Sequence, residues 1–201
     1  MNADPSIVSP PGAIILAAGE SRRMGAAKAL LRFQGQTFLE GLIAKLQKFC
    51  DPVVAVLGHH AEEILSATSR NVRFVVNPDY ALGMLTSLQC GLRALPEVTR
   101  YAVFTLVDHP NTSDATIAAV AGAPEAPVVI PRFRGRKGHP VRLSRAVIDK
   151  LLQLPPDAKA TDVLHGYVAA TRFLELDDAG IVDDIDDRCA YEELLARADS
   201  L

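Results

Sequence analysis

The sequence predicts an α/β fold with three layers, in which an open, mostly parallel, Rossmann-like sheet carries helices on both faces. Two observations predict it. Short, largely apolar segments alternate with amphipathic stretches, and strands that are apolar on both sides are typical of sheets covered by helices. Glycine-rich or polar residues directly follow several of these segments, as ligand-binding loops do in parallel sheets. The predicted strands are AIILAA (13–18), PVVAVLG (52–58), VRFVV (72–76) and YAVFTLV (101–107).

Helical patterns separate these strands. Thr37 and Glu40 have the spacing of a capping box, and the apolar residues that follow them fall on one helical face. Residues 84–95 repeat this pattern, and the segments 61–68 and 113–121 are predicted to be helices from weaker patterns. Beyond residue 125, VVIPRF and HPVRLS flank RGRKG (134–138), which indicates a hairpin or a loop crossing the sheet edge. The remaining predicted elements are helices at 144–154, 161–170 and 188–198, and short strands near 172–176 and 181–185.

Length and composition restrict the class of protein. A chain of 201 residues favours one domain, which we expect to span 13–201 after a flexible N-terminal tail of residues 1–12. The net charge of −3 gives no global basic field that would attract nucleic acid or an anionic membrane. The N-terminus lacks the layout of a signal peptide, and no apolar run approaches the roughly 20 residues that span a bilayer. Three widely spaced cysteines, of which one must stay unpaired, indicate a reducing, cytoplasmic location.

The loop LAAGESRRMGAAKALL (16–31) follows the first predicted strand. Its spacing matches neither a Walker loop nor the G-x-G-x-x-G fingerprint of dinucleotide-binding proteins. Gly19 and Gly25 allow the backbone to approach a ligand closely. Arg22, Arg23 and Lys28 add three cations within seven residues, and such cations bind phosphate oxygens. The loop is therefore predicted to bind phosphate groups.

Polar residues after the third and fourth strands complete the candidate site. Because the carboxyl ends of parallel strands meet at one edge of a sheet, Asn77, Asp108 and His109 should converge on the glycine loop. Mg²⁺ is bound in such sites by one or two carboxylates together with substrate oxygens. Asp108 and, near the chain end, Asp186 suit this role, with Asp184 as the alternative to Asp186.

Five blocks of the sequence resemble the MobA-like nucleotidyltransferases. The loop is similar to the family signature L-A-A-G-x-S-x-R-M-G-x-x-K-x-L-L at every defined position. The combination of a GMxxSL block with GHPV is most similar to the branch that acts as molybdenum cofactor cytidylyltransferases. The other four blocks are NPDYALGMLTSLQCGL (77–92), LVDHP (106–110), GHPV (138–141) and DIDDRCAYEEL (184–194).

The resemblance implies a Mg²⁺-dependent enzyme that transfers CMP from CTP to molybdopterin and releases pyrophosphate. It implies a catalytic role for Arg23, Lys28 and Asp108, and Mg²⁺ ligation by Asp108 and Asp186. A molybdoenzyme client is a further possible partner. The implied acceptor contacts are His109, Gly138 and His139. The implied nucleotide contacts are Leu16, Ala17, Ala18, Gly19, Ser21, Arg23, Gly25, Lys28, Asn77, Gly83 and Ser87.

Two departures from the family pattern leave the acceptor open. Asp187, Arg188 and Ala190 stand where the family has Thr, Pro and Asp, and ATDVLHGY (160–167) lacks an expected glycine-rich run. The alternatives are guanylyl transfer to the molybdenum cofactor, nucleotidyl transfer to a sugar phosphate, and a non-catalytic protein that binds nucleotide or pterin and delivers cofactor. The cations of RGRK (134–137) are either an exposed hairpin tip or contacts for the acceptor's phosphate.

Overall fold

A mixed sheet of eight strands forms the centre of the molecule. The computed structural model describes residues 9–69 and 71–198, and the strand order is β10-β7-β9-β6-β1-β4-β5, with β8 paired to β7. β2 and β3 form a separate two-stranded ribbon. The strands are β1 (Gly12–Ala17), β2 (Arg32–Phe33), β3 (Gln36–Thr37), β4 (Val53–Leu57), β5 (Arg73–Val76), β6 (Tyr101–Leu106), β7 (Val128–Phe133), β8 (Arg136–Lys137), β9 (Val141–Ser144) and β10 (Arg172–Glu175).

Most strand pairs are parallel. β1 runs parallel to both β4 and β6, so that Ile15 lies opposite Ala55 on one side and Thr105 on the other. β9 is inserted antiparallel between β6 and β7, with Val141 opposite Phe104 and Arg142 opposite Val129. The prediction of an open, mostly parallel sheet is therefore confirmed, with one antiparallel strand near its middle and the short β8 at its edge.

Helices cover both faces of the sheet, which confirms the three-layer prediction. Alternate residues of β1 point to opposite layers: Ile15 packs with α1 and α4, whereas Ile14 packs with α3 and α5. No helix in the described part of the chain combines the length and apolar character needed to span a membrane. The helices are α1 (Phe38–Leu46), α2 (Ala61–Ala67), α3 (Met84–Ala94), α4 (Asp114–Ala121), α5 (Arg145–Leu152), α6 (Ala160–His165) and α7 (Arg188–Ala198).

The capping box predicted at the start of α1 is confirmed. Thr37 Oγ1 accepts from the Glu40 backbone N–H at 3.1 Å, and the Glu40 carboxylate accepts from the Thr37 N–H at 3.2 Å. These two bonds satisfy amide donors that have no partner within the helix. The cap fixes where α1 begins, and the buried leucines that follow pack the helix against the sheet.

Several elements differ in detail from the sequence prediction. β1 begins at Gly12, one residue before the predicted domain start, and the first eight residues of the predicted tail lie outside the described residues. The predicted helix 161–170 is divided into α6 and a 3₁₀ turn, Val168–Ala170. The β2–β3 ribbon was not predicted, because two-residue strands leave no periodic pattern.

The predicted strand at 181–185 is wrong. Residues 178–187, here called the crossing segment, include the 3₁₀ turn Ala179–Val182 and run across the carboxyl edge of the sheet. The Ile181 carbonyl accepts from the His139 N–H at 3.0 Å, and the Ile185 N–H donates to the Asp108 carbonyl at 2.9 Å. Both isoleucines are buried. Their apolar character reflects packing onto the strand ends and not membership of the sheet.

Candidate active site

A cleft of about 370 Å³ lies at the carboxyl edge of the sheet, between the loop after β1 and the start of α3. The structure brings most of the predicted site residues to its walls, together with residues that were not predicted. Gly25, Asn77, His109, Gly138 and His139 are not on these walls. The predicted residues that line the cleft are Leu16, Ala17, Ala18, Gly19, Ser21, Arg23, Lys28, Gly83, Ser87, Asp108 and Asp186.

The loop after β1 turns tightly around Ser21. Its carbonyl accepts from the N–H groups of Met24 at 3.0 Å and Gly25 at 3.1 Å, and its Oγ accepts from the Lys28 N–H at 3.3 Å. Ser21 and Gly25 both have positive φ, at 52° and 72°. Gly25 has the residue type that this backbone conformation favours. The role of Gly25 in the free protein is therefore to shape the turn that leads to Lys28.

Four charged side chains from three parts of the chain meet at the cleft. Lys28 Nζ donates to Asp108 Oδ2 at 3.2 Å and to Asp186 Oδ1, and Arg23 Nη2 lies 2.5 Å from Asp186 Oδ2. The Lys28 side chain is only 11% exposed, whereas that of Arg23 is 68% exposed. The hydrogen bond from Lys28 holds the pKa of Asp186 below its usual range. Asp186 is therefore ionised at neutral pH.

The carboxylates of this cluster fit a divalent cation that is bound together with substrate oxygens. Asp108 Oδ1 is buried and has no hydrogen-bond partner among the described residues. Because one ammonium group contacts both carboxylates, they are close enough to share one ion. Two carboxylates are the usual protein contribution to a Mg²⁺ site completed by phosphate oxygens. No group of three or more metal-binding side chains occurs in residues 9–69 and 71–198.

The structure distinguishes Asp186 from Asp184, which the sequence left as alternatives. Asp186 lines the cleft and contacts both cations, whereas Asp184 is exposed and absent from the cleft walls. The side chain of Ile185, which lies between them, is buried in the core. Asp186 is therefore the better candidate for a metal ligand.

Asn77 holds the start of α3, which forms one wall of the cleft. Its side chain is buried, and Nδ2 donates to Thr86 Oγ1 and to Ser87 Oγ, each at 2.9 Å. Its Oδ1 accepts from the Asp79 N–H at 3.0 Å. These bonds fix the first turn of α3, where Ser87 lines the cleft. In the described protein Asn77 acts through Ser87, and direct contact with a nucleotide stays a prediction.

The three predicted acceptor residues pack beneath the crossing segment. The rings of His109 and His139 lie 5.1 Å apart, and the Nδ1 atom of each is buried without a partner among the described residues. Burial and the neighbouring His109 lower the pKa of His139 to about 4, and burial lowers the pKa of His109. A Cβ on Gly138 would lie 2.0 Å from the Ile181 carbonyl oxygen. These residues hold the crossing segment in place, and their contact with an acceptor stays a prediction.

His60, Tyr80 and Met84 line the cleft but were not among the predicted site residues. His60 Nε2 lies 3.3 Å from the Glu20 carbonyl oxygen, and Tyr80 contacts His59 Nδ1 at 3.0 Å. The sequence did carry a signal for His60, because it follows β4, whose carboxyl end faces the same edge as those of β1 and β6.

Asp178 attaches the crossing segment to the start of α4. Its Oδ2 accepts from the Ser113 N–H at 2.9 Å and from Thr116 Oγ1 at 2.6 Å, and its Oδ1 accepts from the Gly180 N–H at 3.0 Å. Burial raises the pKa of Asp178, but these hydrogen bonds outweigh it, so the pKa lies below its usual value. Asp178 is therefore an ionised anchor for the segment that carries Asp186.

Replacing this anchor should weaken metal binding. For Asp178→Ala we expect a loss of about 2 kcal/mol in stability from three lost hydrogen bonds, or roughly 4–8 °C in Tm. Because the folded-state pKa of Asp178 is depressed, this stabilising contribution is present above the unfolded-state pKa and should disappear as pH falls through the folded-state pKa.

We also expect Asp178→Ala to bind Mn²⁺ several-fold more weakly than wild type in a calorimetric titration below the Tm. Asp177→Asn, at an exposed neighbour whose side chain makes no hydrogen bond within the described residues, is the control. Equal Mn²⁺ affinity in wild type and Asp178→Ala would contradict the anchoring role.

A family model described as the MobA-like NTP transferase domain matches residues 13–172. The chain belongs to the MobA-like NTP transferase family. This confirms the resemblance that the sequence blocks indicated, and it identifies the chain as a nucleotidyltransferase. The matched range includes Arg23, Lys28 and Asp108 but ends before Asp186, whose assignment rests on the tail motif and on the cleft geometry.

Relatives of this MobA-like protein act on the molybdenum cofactor. It is 28% identical over 176 residues to the molybdenum cofactor cytidylyltransferase of Escherichia coli K12, covering 86% of this chain and 89% of that one. It is 35% identical over 138 residues to a probable molybdenum cofactor guanylyltransferase of Mycolicibacterium paratuberculosis, covering 66% and 68%.

Crystal structures of Rv0371c from Mycobacterium tuberculosis H37Rv have the same fold. One matches with a TM-score of 0.82 at 27% identity and covers 94% of this chain and 98% of that chain. A second, a complex with manganese, matches with a TM-score of 0.79 at 25% identity and covers 94% and 99%. A divalent cation is thus bound by a protein of similar fold and related sequence.

Proposed function

We propose that this MobA-like protein transfers the CMP moiety of CTP to the phosphate of molybdopterin. The observation that carries the proposal is the meeting of Lys28, Arg23, Asp108 and Asp186 at one cleft. A phosphate oxygen of the acceptor attacks the α-phosphorus of CTP and forms the new P–O bond. The bond from the α-phosphorus to the bridging oxygen breaks, and that oxygen leaves with the electron pair as part of pyrophosphate.

The side chains of the cleft supply charge and position for this reaction. Lys28 and Arg23 bind the triphosphate and offset the charge that develops on departing pyrophosphate. Backbone N–H groups of the loop containing Gly19, Ser21 and Gly25 bind phosphate oxygens. Gly83 and Ser87 contact the ribose and base. The acceptor phosphate is already ionised near neutral pH, so the reaction needs no strong general base.

Asp108 and Asp186 would hold Mg²⁺ in this proposal. A bound Mg²⁺ would supply positive charge to offset that of the triphosphate and the leaving group. The buried Oδ1 of Asp108 supports this role, since it accepts no hydrogen bond from the described residues and its nearest charged neighbour, His109 Nε2, lies 3.9 Å away. The manganese complex of Rv0371c supports a divalent cation in general.

CTP is the proposed nucleotide because the cytidylyltransferase relative aligns with 86% of the chain, compared with 66% for the guanylyltransferase relative. GTP with the same acceptor is the nearest alternative. A purely non-catalytic delivery protein is disfavoured, since delivery requires no paired carboxylates beside a triphosphate-binding lysine. A molybdoenzyme that receives the product is the proposed client.

A cytoplasmic location is part of the proposal. The three cysteines are all free thiols in the structure, as the reducing conditions of that compartment require. Burial raises the pKa of the Cys50 thiol to about 12, which keeps it protonated and unreactive.

Pyrophosphate release with molybdopterin and each of the four nucleotides tests the proposal. We expect release with CTP and Mg²⁺ to exceed release with GTP, ATP or UTP, and we expect CTP with Mg²⁺ to raise the Tm most. A larger Tm shift and faster release with GTP would move the assignment to guanylyl transfer. Release of no pyrophosphate with molybdopterin and any nucleotide would contradict the proposed reaction.

A further inference from the structure

The hairpin of β7 and β8 concentrates positive charge at the carboxyl edge of the sheet. Arg132, Arg134, Arg136 and Lys137 lie within six residues of a chain whose net charge is −3. The carboxylate that pairs with this group in the described part of the chain is Glu175, whose Oε1 lies 3.6 Å from Arg132 Nη1. Several cations are therefore left without a carboxylate partner, which produces a local positive potential.

The four cations divide between two faces of the hairpin. Arg132 pairs with Lys137 in the antiparallel register, and residues directly opposite each other share a face. The Arg132 guanidinium lies 3.5 Å from the centroid of the Phe173 ring, and Lys137 Nζ lies 5.4 Å from the same centroid. We call Arg132, Lys137 and Phe173 the basic platform.

The other two arginines belong to the opposite face. Arg136 pairs with Phe133, and the Arg134 guanidinium lies 5.0 Å from the Phe133 ring. Because successive residues of a strand point to opposite faces, Phe133 and its two arginines face away from Arg132. One hairpin thus offers two sets of cations that differ only in the face on which they lie.

The basic platform lies on the same side of the sheet as the start of α3. Ile130, two residues before Arg132 and opposite Phe173, packs into the core layer formed by α3 and α5. The first turn of α3 provides Met84 and Ser87 to the nucleotide cleft. Platform and cleft therefore occupy one face and one edge of the sheet.

A short chain path connects the platform to Asp108. Lys137 precedes His139 by two residues, and the His139 ring contacts, at a tilt of 37°, the ring of His109, the neighbour of Asp108. The Gly138 N–H donates to the Pro131 carbonyl at 3.0 Å, which fixes the hairpin where it meets the crossing segment. The platform is thus joined to Asp108 through the two packed histidines.

Arg132 retains unused hydrogen-bonding capacity. Its Nε is buried and has no hydrogen-bond partner among the described residues. A guanidinium stacked on an aromatic ring is held in a fixed plane and presents its N–H groups to an anion in a forked arrangement. Lysine adds a mobile charge beside it.

We propose that the basic platform binds the anionic acceptor of nucleotidyl transfer and directs its phosphate toward the cleft. The proposal rests on the proposed function, because it takes molybdopterin as that acceptor. Of the RGRK cations whose role the sequence left open, it assigns acceptor binding to Lys137, together with Arg132, and it leaves Arg134 and Arg136 in solvent. Acceptor affinity should therefore depend on the face from which charge is removed.

Two double variants with the same change in charge test this. Arg132→Met with Lys137→Gln removes both platform charges and keeps side-chain stems over Phe173. Arg134→Gln with Arg136→Gln removes two charges from the opposite face. A third pair, Arg93→Gln with Arg100→Gln, lies at exposed positions near the end of α3 and the start of β6, at the amino edge of the sheet.

The measurement is equilibrium binding of molybdopterin, without CTP, by quenching of its fluorescence, followed by the KM for molybdopterin. We expect the platform variant to raise the Kd and the KM about tenfold or more, with a shallower salt dependence, and the other two variants to change them less than about twofold. The Tm shift caused by CTP with Mg²⁺ should be equal in all four proteins, because the nucleotide cleft is unchanged.

The outcomes separate this proposal from the proposed function. Equal losses from both hairpin faces would indicate a diffuse field suited to an acidic protein surface and would overturn the platform, as would equal affinity in all variants or no binding by the wild type. Wild-type binding that only the platform variant weakens supports the platform. If that result came without pyrophosphate release, the proposed transfer would fail while the platform stood.

Discussion

Asp108→Asn is expected to reduce pyrophosphate release by on the order of 1,000-fold while leaving the fold intact. Asparagine has nearly the same shape but lacks the negative charge that a divalent cation requires. Asp108 follows β6, with Oδ2 bonded to Lys28 and Oδ1 buried without a hydrogen bond in the described residues. The substitution therefore removes charge at the atom that would contact the metal.

The stability of Asp108→Asn should change little, because Lys28 keeps its bond to Asp186. We expect a Tm within about 4 °C of wild type, equivalent to roughly 1 kcal/mol. Mn²⁺ affinity, measured by electron paramagnetic resonance of the free ion, should fall with the rate. Asp184→Asn is the matched control, since it removes one charge from an exposed position outside the cleft. Undiminished release by Asp108→Asn would exclude this carboxylate from metal binding.

The residues of the cleft proposed to bind the nucleotide could be predicted from sequence because they follow strands that the sequence reveals clearly. The loop 16–31 carries its glycines and cations in one continuous segment, and Asp108 directly follows an apolar run. The rule that strand ends converge then brings these residues together without knowledge of their side-chain contacts. Asp186 required the tail motif in addition, since it lies far from these elements in sequence.

What the sequence did not predict depends on long-range packing. Two of the motif residues are buried: Asn77 donates to Ser87 Oγ, and the His139 ring lies 5.1 Å from the His109 ring. Their sequence context resembles that of residues lining the cleft. The burial of Asn77 depends on its bonds to the first turn of α3, and that of His139 depends on the path of the crossing segment. That path depends on Asp178 reaching the start of α4, a contact between residues 62 positions apart. The insertion of β9 between β6 and β7 is non-local in the same way.

Lys28 gives the second large prediction, because in the free protein it binds the two carboxylates that are proposed to hold the metal. Its ammonium contacts Asp108 and Asp186 within a largely buried side chain. Lys28 must leave these carboxylates before they can bind a divalent cation, since like charges repel strongly at such distances. The triphosphate gives the displaced ammonium a new anionic partner. Nucleotide and metal should therefore each strengthen the binding of the other.

Lys28→Met is expected to affect metal and nucleotide in opposite directions. Without the competing ammonium, Mn²⁺ alone should bind roughly threefold to tenfold more tightly than to wild type. CTP should bind more weakly, and pyrophosphate release should fall by about 100-fold or more, because a cation that neutralises the triphosphate is lost. The ratio of Mn²⁺ affinities with and without CTP should also fall. These quantities are measured by calorimetric titration of Mn²⁺ into protein with and without CTP.

Arg22→Met is the control for Lys28→Met, because it removes a cation from the same loop that pairs with Glu20 and not with Asp108 or Asp186. We expect its affinity for Mn²⁺ alone to match wild type. If Lys28→Met bound Mn²⁺ alone more weakly than wild type, Lys28 would be supporting the metal site instead of competing with the metal. The coupling would then have to arise from Arg23, the other cation on Asp186. The direction of the change in Mn²⁺ affinity thus decides between the two roles of Lys28.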